Sequence, residues 1–146
     1  MTFELLVGEY VVSDDPTRLD RDLIHRWLSA ESYWAAGRTR QTVDRSLDTG
    51  SIAFGVYHPS GAMVGSARVV TDRATFGWLC DVFVVAEHRG KGLGRALVQA
   101  AVEHPDLHDL KRFVLATADG HGLYADYGFA VVDRPERWMI KRGPTA

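Results

Sequence analysis

HRGKGLGRAL, residues 88–97, follows two residues after the apolar run VFVV (82–85) and opens a segment whose apolar residues fall at helical spacing. Leu93, Leu97 and Ala101 lie on one line of that segment, Val98 and Val102 lie beside it, and Pro105 ends it. The stretch is therefore a tight strand-to-helix turn. Glycines 90, 92 and 94 let the backbone bend sharply and approach a ligand with no Cβ in the way. The first amides of the helix are unpaired and sit at the positive end of its dipole. With Arg89, Lys91 and Arg95 beside them, they suit an anion such as a pyrophosphate. Two familiar phosphate loops do not fit. A dinucleotide-binding G-x-G-x-x-G needs glycine where Arg95 or Leu97 stands, and a P-loop needs Ser or Thr where Gly92 follows Lys91.

Upstream of this turn, residues 3–12 are apolar and rich in β-formers and read as a first strand. Asp15-Pro16 signals a helix start, with Leu19, Leu23, Ile24, Trp27 and Leu28 on one face. Gly37 interrupts that helix, Thr39 caps a second short one carrying Val43 and Leu47, and Gly50 stops it. IAFGVY (52–57), the turn His58-Pro59-Ser60-Gly61, AMVGSARVV (62–70) and TFGWLCDVFVV (75–85) then predict three antiparallel strands in series. Downstream, FVLATA (113–118) reads as a short buried strand and Asp119 as the cap of a last helix that stops at Gly128. Residues 138–141 fall in a final strand. The order β-α-α-β-β-β-α-β-α-β belongs to a mixed α/β class with helices on a central sheet, and residues 1–146 read as one domain.

Composition narrows the function. Of 146 residues, 46% are apolar and 25% charged, the proportions of an ordinary globular domain able to bury a core without staples. With 17 Lys+Arg against 19 Asp+Glu the formal charge is -2, which supplies no general field for nucleic acid or an anionic membrane. The single cysteine, Cys80, excludes an internal disulfide framework and a Cys-based zinc site, and suits a reducing compartment, so the cytoplasm is expected. No stretch has the length of a membrane span or the pattern of a signal peptide. His104 and His108 are four apart, but Pro105 between them breaks the helix that would aim both at one metal.

The turn matches the signature Arg/Gln-x-x-Gly-x-Gly/Ala through Arg89, Gly92 and Gly94, and LYADYGF (123–129) resembles a second marker, Leu-Tyr-x-x-x-Gly-Phe. On both motifs the chain resembles the GCN5-related N-acetyltransferases, the GNAT family. The resemblance implies a mostly antiparallel, twisted sheet of about six to seven strands flanked by four helices. It also implies acetyl-CoA as cosubstrate, without a metal, its pyrophosphate held at Arg89, Gly90, Lys91, Gly92, Leu93, Gly94 and Arg95. In relatives the strand before the turn is split by a bulge, where backbone amides bind the pantetheine chain and the thioester carbonyl; here those positions are Val82, Phe83 and Val84. His121 and Thr117 depart from the residues common at their positions, which weakens any coenzyme contact there.

Tyr124 matches the family tyrosine that lies near the coenzyme sulfur and acts as general acid; its plainer role is packing, which Tyr127 could serve instead. Asp81, a carboxylate in the apolar run Leu79-Cys80-Asp81-Val82-Phe83, is the candidate base. Its alternative is a bulge cap or an ion pair with Arg68 or Arg73, and its face of the strand is open, because a bulge at Val82 or Phe83 reverses the parity of every neighbour. Cys80 reads as a buried small residue rather than a nucleophile. Tyr33, Trp34 and Arg38, between the first two helices, are the candidate substrate contacts, their aromatic faces suited to an amine. The leading function is direct acetyl transfer from acetyl-CoA to a primary amine of a small molecule or peptide. The partners expected are that amine, with no nucleic acid and no membrane, and homodimerisation is left open. A silent acetyl-CoA-binding regulatory module and a protein-modifying acetyltransferase are the alternatives.

Overall fold

The computed structural model describes residues 2–144. Six strands form one sheet in chain order: β1 (Glu4–Val7), β2 (Tyr10–Ser13), β3 (Ser51–Tyr57), β4 (Met63–Thr71), β5 (Phe76–Val84) and β6 (Arg112–Val114). All neighbours are antiparallel except β5 and β6, which are parallel. The four helices are α1 (Arg21–Glu31), α2 (Arg40–Asp48), α3 (Leu93–Glu103) and α4 (His121–Ala125).

Each face of the sheet buries a different helix layer. On one side Leu93, Leu97, Val98 and Ala101 of α3 pack on Val12, Phe54, Val56, Val69 and Leu79. On the other, Leu23, Ile24 and Leu28 of α1 and Val43 of α2 pack on Tyr57, Met63 and Phe83. The amphipathic stripes expected of these helices are thus the ones buried. His104, at the end of α3, is tied to the β2 side of the sheet: its Nδ1 accepts from the Asp106 amide, so the proton is on Nε2, which donates to Asp14 at 2.8 Å.

Four sequence expectations are corrected. Residues 3–12 are a hairpin rather than one strand, because Gly8, at φ +57°, turns the chain between Val7 and Tyr10. Asp15 caps only a one-turn 3-10 segment, Pro16–Arg18; α1 starts later, where Asp20 accepts the Leu23 amide at 3.0 Å. Asp119 caps nothing: Gly120 holds the N-cap of α4, and Thr117 Oγ1 accepts the Gly120 amide at 2.9 Å. Residues 138–141 form no strand; Met139 and Ile140 point into solvent, 96% and 73% exposed. Among the described residues no helix is long and apolar enough to cross a membrane.

Candidate active site

The sheet forks at its last pair of strands. β6 lies beside β5 for three residue pairs only, Phe76 with Arg112, Gly77 with Phe113 and Trp78 with Val114. Beyond Trp78 no strand among the described residues covers that edge of β5, and a cavity of about 780 Å³ opens between residues 79–84 and residues 116–120. α1 and the α1–α2 connection wall one end through Trp27, Tyr33, Trp34 and Arg38; Arg89 and Gly94 of the glycine turn line it, as does Tyr124 of α4.

Within β5 the ladder to β4 slips by one residue. Arg68 pairs with Cys80 and Ser66 with Phe83, so three steps on β5 face two on β4. The extra residue lies at the bulge around Asp81, whose φ of +54° falls in the left-handed region that Asp tolerates better than most residues. The bulge sits one position earlier than expected, but the parity reversal follows as anticipated. Leu79 packs towards α3, while Phe83, four residues on, packs towards α1. Asp81 is turned to the α1 side and is 8% exposed.

There its carboxylate is fully engaged. Oδ1 accepts from Trp34 Nε1 at 3.0 Å; Oδ2 accepts from Arg38 Nη1 at 2.8 Å and from Arg68 Nε and Nη2, each at 3.1 Å. Protonating Oδ2 would displace an arginine, so the geometry displays the ion-pair alternative rather than a free base. Arg73, the other partner considered, pairs instead with Asp106. Arg68 was named in the sequence as a possible partner of Asp81 but not as a site residue, and the structure brings it to the cavity wall.

The α1–α2 connection is built to deliver Trp34 and Arg38. Ser32 Oγ donates to the Leu28 carbonyl at 2.7 Å and accepts the Ala35 amide at 3.0 Å, and Ala35 is fully buried. Gly37, at φ +76°, then reverses the chain so that the Arg38 amide reaches the Ala35 carbonyl at 3.0 Å. Trp27 stacks on Phe83 with ring centroids 4.5 Å apart, and Tyr33 meets Trp34 edge to face. These rings and Trp78 make the walls apolar, though Trp27 and Trp78 were not picked out as site residues because their spacing is that of ordinary packing.

At the glycine turn, Gly90 and Gly92 both take φ +78°, and a Cβ built on Gly90, Gly92 or Gly94 meets nothing within 4 Å. The first bond of α3 runs from the Ala96 amide to the Gly92 carbonyl, which leaves the amides of Leu93, Gly94 and Arg95 without a helical acceptor. That open, donor-rich cradle fits a pyrophosphate. Only backbone serves at Leu93, whose side chain is buried in the core. Arg89 donates from Nε to the Val84 carbonyl at 3.0 Å, Lys91 is exposed, and Arg95 pairs with Asp126 at 2.8 Å, so the cationic charge is less free than three basic residues suggest.

Tyr124 is half-buried, packs on Phe129, and has its phenol pushed above the usual value, first by burial and then by the proximity of Tyr33 and Asp119. It stays protonated at neutral pH. Gly120 makes room for the ring: a Cβ there would lie 2.9 Å from Tyr124 Cε2. Cys80 lines the cavity, but burial raises its thiol to about 12, the opposite of an activated nucleophile. Among the described residues no group of three or more His, Cys, Asp or Glu could hold a metal ion.

Residues 19–129 match the Acetyltransferase (GNAT) family. A Gibberella zeae protein named a putative acetyltransferase is 33% identical, the match covering 80% of this chain and 76% of that one. The crystal structure of a putative GNAT-family acetyltransferase from Xanthomonas campestris pv. campestris superposes with a TM-score of 0.90 at 45% identity, over 95% of this chain and 96% of the other. The glucosamine-6-phosphate N-acetyltransferase of Arabidopsis thaliana shares the fold alone, with a TM-score of 0.61 at 15% identity over 97% of both chains. The forked sheet, the glycine cradle at its mouth and these matches agree: this chain belongs to the GNAT family of acetyltransferases.

Proposed function

We propose that the protein transfers the acetyl group of acetyl-CoA directly to a primary amine of a small molecule or peptide. The observation that carries this reading is the convergence of three parts on one cavity: the donor-rich cradle at α3, the unpaired edge of β5 and the protonated Tyr124 phenol. In the reading, the turn from Arg89 to Arg95 holds the pyrophosphate, and backbone amides of Val82, Phe83 and Val84 hold the pantetheine chain and the thioester carbonyl. Donors fixed in a strand need no reorganisation as charge develops on that oxygen. The amine nitrogen forms a bond to the carbonyl carbon and loses a proton to solvent, the carbon–sulfur bond breaks, and Tyr124 donates its proton to the departing sulfur. Asp81 acts by orienting Arg38, Arg68 and Trp34, not by taking the amine proton. The single cysteine, Cys80, half-buried and unpaired among the described residues, fits a reducing compartment, and the cytoplasm is the location this reading carries.

Release of free CoA over a panel of amines tests the transfer. Acetyl-CoA should also raise the melting temperature, as a ligand of the folded state must. Gly94→Val should remove that rise while leaving the melting temperature of the free protein nearly unchanged, because the added side chain enters open space. Tight acetyl-CoA binding with no CoA release from any amine would instead support a regulatory module.

A further inference from the structure

The charges around Asp81 do not balance. Arg68 and Asp81 form a closed pair: Nε and Nη2 of Arg68 reach Oδ2, and its Nη1 donates to Ser51 Oγ at 3.2 Å. Arg38 adds a second guanidinium to the same oxygen, although Asp81 is already neutralised. The Arg38 side chain is 16% exposed and uses only Nη1; its Nε and Nη2 have no partner among the described residues. Arg38 lines the cavity, and its Nε and Nη2, which are not buried, keep a solvent contact that an anionic group of a ligand would replace. The other charges on the cavity wall, Arg89 and Asp119, are one of each sign, so Arg38 leaves the cavity with one positive charge in excess. Trp27, Tyr33, Trp34 and Trp78 line the same end.

A simple amine suits this end poorly. It would arrive as an ammonium against two guanidiniums, and the one carboxylate there has its oxygens engaged. We propose that the acceptor is an amine that also carries an anionic group, a carboxylate or a phosphate, received by the free edge of Arg38, with an apolar body against the tryptophans. The proposal deepens the acetyl-transfer reading and rests on it for the position of the amine. The planar guanidinium edge, with two parallel donors, matches either anion.

Two measurements separate failure of the subsite from failure of the transferase reading. In the first, CoA release is followed with phenylalanine against phenylalaninamide, and with phosphoethanolamine against ethanolamine. At least one member that carries the anionic group should exceed its partner that lacks it by about 10–100-fold in kcat/KM, the range of a charge-assisted hydrogen bond, and the pair that does so identifies the anion. Arg38→Gln should erase the preference and Arg38→Lys should retain part of it, with the rise in melting temperature given by acetyl-CoA unchanged in both. The second measurement needs no turnover: N-acetylphenylalanine and its carboxamide are titrated against tryptophan fluorescence, which Trp27, Trp34 and Trp78 report. Tighter binding of the carboxylate, lost in Arg38→Gln, supports the subsite even where no CoA is released. Equal kcat/KM within both amine pairs, equal binding of the two acetylated probes where no CoA is released, or loss of the acetyl-CoA effect in Arg38→Gln overturns it.

Discussion

Replacing Asp81 by Asn removes one charge and almost nothing else. Asn tolerates the left-handed φ of +54° as well as Asp does, so the bulge itself is not strained by the change. What changes is the set of four donors now converging on the carboxylate, three of them from guanidiniums whose side chains are only 15–16% exposed. The amide has one acceptor oxygen in place of two, and its NH2 group faces either Trp34 or the arginines. Breaking a fully buried pair by removing one partner typically costs about 3–5 kcal/mol. The residual exposure of Arg38 and Arg68 lets water recover part of that, so about 2–4 kcal/mol is the expected loss. At roughly 3 °C per kcal/mol for a chain of this length, the melting temperature should fall by about 6–12 °C. Differential scanning calorimetry reads the fall, and kcat/KM against pH, taken well below the new melting temperature, reads the chemistry; its acidic limb should keep its position. A fall of under about 2 °C together with loss of that limb would refute the argument and make Asp81 the proton acceptor.

Tyr124→Phe keeps the ring against Phe129 but removes the phenolic proton. Turnover should drop by ~10²–10⁴-fold where thiolate protonation limits the rate, while the acetyl-CoA effect on melting temperature persists. An unchanged kcat at every pH would leave Tyr124 as packing. Gly65→Ala should destabilise the fold and weaken acetyl-CoA binding together, because the new Cβ would sit 2.7 Å from the Phe83 carbonyl and push on β5 beside its bulge; retained binding in a protein of lower melting temperature would separate the two. Burial raises both Cys80, from an ordinary 9, and Tyr57, from an ordinary 10, to about 12. From about pH 9 for Cys80 and about pH 10 for Tyr57 the unfolded chain therefore loses these protons first, and beyond those points stability should fall by about 1.4 kcal/mol per pH unit for each group as pH rises towards 12. Chemical denaturation at pH 8, 10 and 11 measures the decline. The Tyr57 hydroxyl has no hydrogen-bond partner, so Tyr57→Phe should leave stability at pH 7 equal or higher and make the alkaline decline shallower.

The elements most visible in the sequence were those with a long stripe or a decisive glycine. α3 and its turn were legible because six buried residues recur at helical spacing behind three glycines. β3 to β5 were legible from their apolar runs and from the His58-Pro59-Ser60-Gly61 turn, whose Gly61 takes φ +93° between β3 and β4. Gly8 escaped because a lone glycine in an apolar run resembles a strand interior, and Leu6, 75% exposed, supplied no polar contrast. Residues 138–141, apolar at the first three positions, looked like a strand, but a strand also needs a partner edge, which local pattern does not reveal. At the site, the cradle and Tyr124 were local motifs. The engagement of Asp81 was legible only in its Arg68 partner, since Trp34 and Arg38 come from the α1–α2 connection and the face of Asp81 depended on a parity that one inserted residue decides.

That inserted residue makes β5 unusual in how it would tolerate length change. A substitution at 80, 81 or 82 alters one side chain and leaves the strand's phase intact. Deleting any one of the three would restore a flat ladder to β4 and force a choice: either Leu79 stays under α3 and Phe83 swings away from Trp27, or Phe83 keeps its stack and Leu79 leaves its layer. Leu79 and Phe83 belong to different cores, and the extra residue is the phase shift that lets one continuous strand send them to opposite faces. Relatives with one residue fewer between the counterparts of Leu79 and Phe83 should therefore differ on a whole face of the sheet, not at one position.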